Sequence, residues 1–125
     1  MTQIERDQFK NMLHTKRVEL VRALGRRDGI TIERTADALD EVRLAAEREL
    51  TTRTLERESK LLTDVRGALS RIADGSYGAC QECEEEISHK RLRAMPWATK
   101  CIACQEQADR DESSRNAAER YLKAA

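Results

Sequence analysis

The sequence predicts a mainly α protein: an antiparallel helical hairpin (coiled coil) on a small base held by four cysteines, with a C-terminal helix. Three observations predict it. Charged residues make up 37 % of the 125-residue chain and aromatic residues 3 %, which suits helices burying narrow apolar stripes better than a large globular core. Two long stretches carry apolar residues at helical spacing, separated by a single break. All four cysteines fall between residues 80 and 104.

The first arm is residues 3–27. Phe9, Leu13, Leu20 and Leu24 fall near one face, interrupted by Lys16 and Arg17. The segment "RRDGITIERT" breaks this pattern, with Asp28-Gly29 as a turn signal. The second arm runs from Ala36 to about Asp74-Gly75. It carries one stripe of Leu39, Val42 and Ala46 and another of Leu55, Leu62, Val65, Leu69 and Ile72, out of phase across "ERELTTRT", where an imperfect seam is expected. Gly75 is placed to end this helix at C′. A third helix is expected to begin near Cys101 and run toward Leu122, with "DESSRNAAERYLKAA" polar enough to fray. The organisation is a hairpin over 1–74 with its tip near 28–40, a four-cysteine finger over 75–104, and a C-terminal helix over 105–125.

The cysteines form two C-x-x-C pairs, Cys80/Cys83 and Cys101/Cys104, separated by seventeen residues. Each pair turns two sulfurs toward one ion, and this gap suits a small lobe between two such turns. Four thiolates complete a tetrahedron with no open position, so a structural zinc is expected rather than a catalytic one. Its net charge of about −2 would be offset by Lys90, Arg91, Arg93 and Lys100. A lobe whose main apolar content is Ile87, Leu92, Met95 and Trp97 needs such a staple to fold. Redox-active dithiols would want a βαβ context that is not visible, and an iron–sulfur site is the other reading of four sulfurs. His89 is read as a surface residue, a fifth donor for four places.

Lys+Arg and Asp+Glu both number 23, so general attraction to nucleic acid or an anionic membrane is not supported. No apolar run approaches a membrane span, and "MTQIERDQFK" has no signal-peptide core. The expected compartment is the cytoplasm, where thiols stay reduced. At the hairpin tip, Asp37 and Asp40 lie three apart at the start of the second arm and share a face. Two readings stay open: functional acids at a tip, or an N-cap Asp37 with Asp40 at N3 favouring the helix dipole.

The segment "GSYGACQECEEEISHKRLRAMPWATKCIACQ" resembles the zinc motif of the DksA/TraR-type C4 zinc-finger regulators of bacterial RNA polymerase: an aromatic-Gly before the first Cys, an Ile after the second, then Arg-Leu, Pro and Cys-Ile-x-Cys. It covers about a quarter of the chain. The family's tip carries Asp-x-x-Asp-Arg-Ala about forty residues before the first zinc cysteine; Asp37 and Asp40 match, and Glu41-Val42 replaces Arg-Ala. Glu84 stands where the family usually has Gly. The resemblance implies a cytoplasmic, non-enzymatic regulator that binds RNA polymerase and inserts its coiled-coil tip into the secondary channel. It would alter open-complex stability without stable direct DNA binding. Zinc would be held by Cys80, Cys83, Cys101 and Cys104. Guanosine tetraphosphate is implied as a ligand of the complex, a dependence that the shorter N-terminal segment would weaken. The alternative is a nucleic-acid-binding zinc finger using the basic loop, Lys90, Arg91, Arg93 and Lys100, with Trp97 stacking on a base.

Overall fold

The computed structural model describes residues 1–28 and 38–124. Four helices follow in order: α1 (Gln3–Asp28), α2 (Ala38–Asp74), α3 (His89–Ala94) and α4 (Ile102–Ala124). At 1.5 Å per residue, α1 is about 39 Å long and α2 about 55 Å. They pack on one another as the two arms of the hairpin. The Asp28-Gly29 turn, the tip segment and Asp37 lie wholly or partly outside the described residues. Among the described residues no helix is long and apolar enough to cross a membrane.

Local chemistry sets the helix ends. α1 opens with a reciprocal capping box. The Thr2 hydroxyl accepts from the Glu5 amide at 3.2 Å, and the Glu5 carboxylate accepts from the Thr2 amide at 2.8 Å. α2 closes in a Schellman turn. Gly75 takes φ 84°, a conformation that costs a glycine nothing, and the Ser76 amide reaches back to the Arg71 carbonyl at 3.0 Å. The Asp74 carboxylate accepts from both the amide and the hydroxyl of Ser76, which holds it below the usual carboxylate range.

One core joins the hairpin to the lobe. α1 gives it Phe9, Leu13 and Leu20; α2 gives Leu62, Val65 and Ala68; the lobe gives Tyr77, Cys80, Ile87, Leu92 and Ala98. Leu24, Leu69 and Ile72 pack against it. Thus the α1 face expected from the sequence is the buried one. So is the second α2 stripe, with Leu55 half-buried.

The first α2 stripe is a correction. Val42 is 71 % exposed and Ala46 is exposed, while Leu44 is half-buried; the side chain of Leu39, the stripe's first member, lies outside what is described. At 100° per residue, Val42 lies roughly 140° around the helix from Val65. A straight helix presents one face to its partner, and the larger cluster at 62–72 decides which. The face continues through Leu44, Thr51 and Thr54, where the two threonine hydroxyls bond to the carbonyls of Glu47 and Leu50. No residue from Asp40 to Leu61 is buried.

The C-terminal segment expected to fray continues as helix to Ala124. Ala117, Ala118, Glu119, Arg120, Leu122 and Lys123 are strong helix formers. Gln105–Asp109 and Gln107–Asp111 pairs support the preceding turns. No residue of α4 is buried.

Candidate metal centre

The first cysteine pair sits in a tight turn between two short antiparallel segments. Ala79 and Glu86 form a β-bridge, the Ile87 amide donates to the Gly78 carbonyl at 2.8 Å, and the Cys80 amide donates to the Glu85 carbonyl at 2.8 Å. The Glu84 amide closes the turn on the Cys80 carbonyl at 3.0 Å. Glu84 itself takes φ 64°, the left-handed region where the β-carbon of a non-glycine residue is crowded. The second pair lies at the start of α4, with the Gln105 amide on the Cys101 carbonyl at 2.9 Å. A bond from the Gln81 amide to the Thr99 carbonyl, 2.9 Å, ties the two turns together.

Between them lies α3, which the sequence reading missed. Its signal was Ser88, whose hydroxyl accepts from the Arg91 amide as an N-cap at 3.2 Å, while Leu92 is driven into the core. The Tyr77 hydroxyl then donates to the Pro96 carbonyl at 2.7 Å and fastens the beginning of the lobe to the end of its loop. The Tyr77 ring lies 5.8 Å from that of Phe9 on α1.

These elements bring together all four cysteines expected from the sequence. Their sulfurs lie within 4.8 Å of one another. A zinc–sulfur bond of about 2.3 Å makes a tetrahedron with edges of about 3.8 Å, and the Cys83 and Cys101 sulfurs are 3.8 Å apart. The thiols pull against each other. Backbone amides of Cys83 and then Cys101 draw Cys80 down to about 6. Cys104 is pushed up to about 12, first by its hydrogen bond with the Cys101 sulfur and then by burial. Four sulfurs this close do not ionise together unless a cation compensates them, and a divalent soft-metal ion does so. The donor set therefore fits zinc.

His89 departs from its expected place on the surface. It is half-buried, with Nδ1 3.6 Å from the Glu5 carboxylate and its ring 6.4 Å from that of Phe9. It belongs to the seam between α1 and α3, not to the sulfur cluster. Glu5 is held below its usual range, first by the Thr2 amide and further by His89. Two of the four basic-loop residues are committed within the lobe. The Arg91 Nε donates to the Lys100 carbonyl at 3.0 Å, and the Lys100 Nζ lies 3.9 Å from the Glu82 carboxylate. Lys90 and Arg93 are exposed. At the other end, α2 begins at Ala38, so Asp40 sits in its first turn, half-buried; its companion Asp37 lies outside the described residues.

A helical hairpin sharing its core with a four-cysteine lobe defines the class: a C4 zinc-finger protein with a long coiled-coil arm. Residues 75–110 match the prokaryotic dksA/traR C4-type zinc finger family. The chain is 41 % identical over 80 residues to the RNA polymerase-binding transcription factor DksA of Caulobacter vibrioides, covering 64 % of this chain and 56 % of that protein. It is 31 % identical over 112 residues to the protein of the same name from Salmonella typhimurium, covering 87 % of this chain and 74 % of that one. The solved structure of transcription factor DksA2 from Pseudomonas aeruginosa superposes with a TM-score of 0.77 at 36 % identity, covering 90 % of this chain and 89 % of that one. The chain belongs to the DksA/TraR family, and its finger carries one structural zinc.

Proposed function

We propose that this chain is a non-enzymatic transcription regulator that binds bacterial RNA polymerase in the cytoplasm. The observation that carries the reading is the arrangement of α2. Its C-terminal part is locked into the zinc-stapled core, whereas no residue from Asp40 to Leu61 is buried. A rod anchored at one end and free of buried core along the rest is suited to enter a channel in a larger partner. Relatives covering most of this chain are named as RNA polymerase-binding factors. In this reading residues 1–74 form the inserted hairpin, 75–104 the finger and 105–125 the C-terminal helix. Cys80, Cys83, Cys101 and Cys104 hold the zinc. Asp37 and Asp40 reach the secondary channel and alter open-complex stability, and guanosine tetraphosphate acts at the complex.

The nucleic-acid-binding alternative is less well supported. Arg91 and Lys100 are engaged within the lobe, Trp97 packs against the core, and Glu82, Glu84, Glu85 and Glu86 are exposed beside the finger. The groove of about 380 Å³ beside Trp97 includes Asp64 with Lys60 and Arg91. Phosphate-tracking surfaces are uniformly cationic. The test is co-purification of tagged chain with RNA polymerase, paired with a gel shift on duplex DNA at physiological salt. Polymerase capture with no micromolar DNA binding is the expected result; DNA binding without polymerase capture overturns the reading.

A further inference from the structure

Cys83 stands apart from the other three thiols. Cys80 is 2 % exposed, Cys101 and Cys104 are half-buried, and Cys83 is exposed. A reagent from solvent therefore meets Cys83 first. The residue after it, Glu84, is the one non-glycine residue with positive φ among the described residues. Its backbone is held there by the closed turn, through the amide on the Cys80 carbonyl. Opening the turn at Cys83 releases that crowding, so the strain favours departure of this sulfur over the others. Charge acts in the same direction. Glu84 and Glu85 follow Cys83 directly in the chain and are exposed, while Glu82 and Glu86 are paired with Lys100 and the N-terminal ammonium; the loaded centre carries a net charge of about −2. Cys80 has the opposite surroundings: it lies in the core with Tyr77 and Ile87, and the first turn folds over it.

We propose that Cys83 is the exchange point of the zinc centre, the donor that gives up its place to an incoming thiol so that the metal can pass to a thiol-bearing acceptor. In that step the bond from Cys83 sulfur to zinc breaks as the bond from the acceptor sulfur forms. The acceptor's thiol proton goes to Cys83, and no electron is transferred. Cys80, Cys101 and Cys104 hold the ion while the exchange takes place. The inference rests on the zinc centre alone and is independent of polymerase binding.

Two readouts on the zinc-loaded full chain test it. The first is limited alkylation with N-ethylmaleimide followed by peptide mapping, which should modify Cys83 before any other cysteine. The second is the rate of zinc transfer to excess 4-(2-pyridylazo)resorcinol in the presence of glutathione. Glu84→Gly removes the crowded β-carbon and should slow transfer by about tenfold. Glu84→Ala removes the carboxylate, keeps the β-carbon, and should stay within about threefold of the parent. Initial modification of Cys80, Cys101 or Cys104, or transfer at the same rate in Glu84→Gly and the parent, overturns the proposal. Equal slowing in the Gly and Ala variants overturns the backbone strain on which it rests.

Discussion

Replacing Tyr77 by Phe removes one oxygen from the lobe and leaves its ring in place. That oxygen donates to the Pro96 carbonyl at 2.7 Å, across nineteen positions of sequence, in a buried setting. Phe keeps the contact with Phe9 at 5.8 Å between ring centres, so the change isolates the hydrogen bond. The bond itself is worth about 1 kcal/mol, and a buried carbonyl left unpaired adds about as much again. The expected loss is about 2 kcal/mol, or roughly 8 °C in Tm for a chain of this size. The pH dependence gives a second signature. Burial pushes the Tyr77 hydroxyl from 10.0 to about 12. The folded state thus keeps its proton where the unfolded chain loses it. This contribution is fully present below pH 10 and is lost as pH rises from 10 through about 12. The Phe variant has no such group, so the stability gap between the two proteins should narrow above pH 10. Urea denaturation of zinc-loaded protein, followed by circular dichroism at 222 nm at pH 8 and pH 11, measures both effects. An unchanged midpoint at pH 8, or a gap equal at both pH values, would refute the hydrogen-bond argument.

Leu13→Ala, at a fully buried position that α1 gives to the shared core, should cost about 2–5 kcal/mol in the same assay. Chelation of the zinc should abolish the near-ultraviolet signal of Trp97, which packs on the shared core, before the helical signal at 222 nm falls; simultaneous loss of both signals would show that the hairpin has no independent helicity. Thr2→Ala should lower stability by about 1 kcal/mol through loss of the capping box at α1, as read from the urea midpoint.

The fold and the sulfur cluster were legible because their signals are local and redundant. Phe9, Leu13 and Leu20 repeat on one face, Gly75 marks a helix end, and two C-x-x-C pairs leave few geometries for four sulfurs. What was misread depends on tertiary competition. Val42 and Ala46 have the spacing of a buried stripe, but the stronger cluster at Leu62 and Val65 sets the helix rotation and turns them outward. The half-burial of His89 depends on α1 lying against α3, a long-range contact that spacing cannot reveal. The short α3 was hidden by its six-residue length, below the window in which periodicity speaks, although Ser88 gave a capping signal. Thr2-x-x-Glu5 is a capping box legible in the sequence itself.

The proposal that the hairpin tip acts on polymerase is tested most directly by the lifetime of promoter open complexes with saturating wild-type chain and with the Asp37→Asn/Asp40→Asn variant. Asn caps a helix nearly as well as Asp, and loss of the Asp40 charge costs about 0.5 kcal/mol at the helix start, so the fold survives the change. The wild-type chain should alter the lifetime and the variant should restore it to the factor-free value, with polymerase binding retained. Equal, altered lifetimes with both proteins would contradict it, leaving Asp37 and Asp40 as helix caps alone.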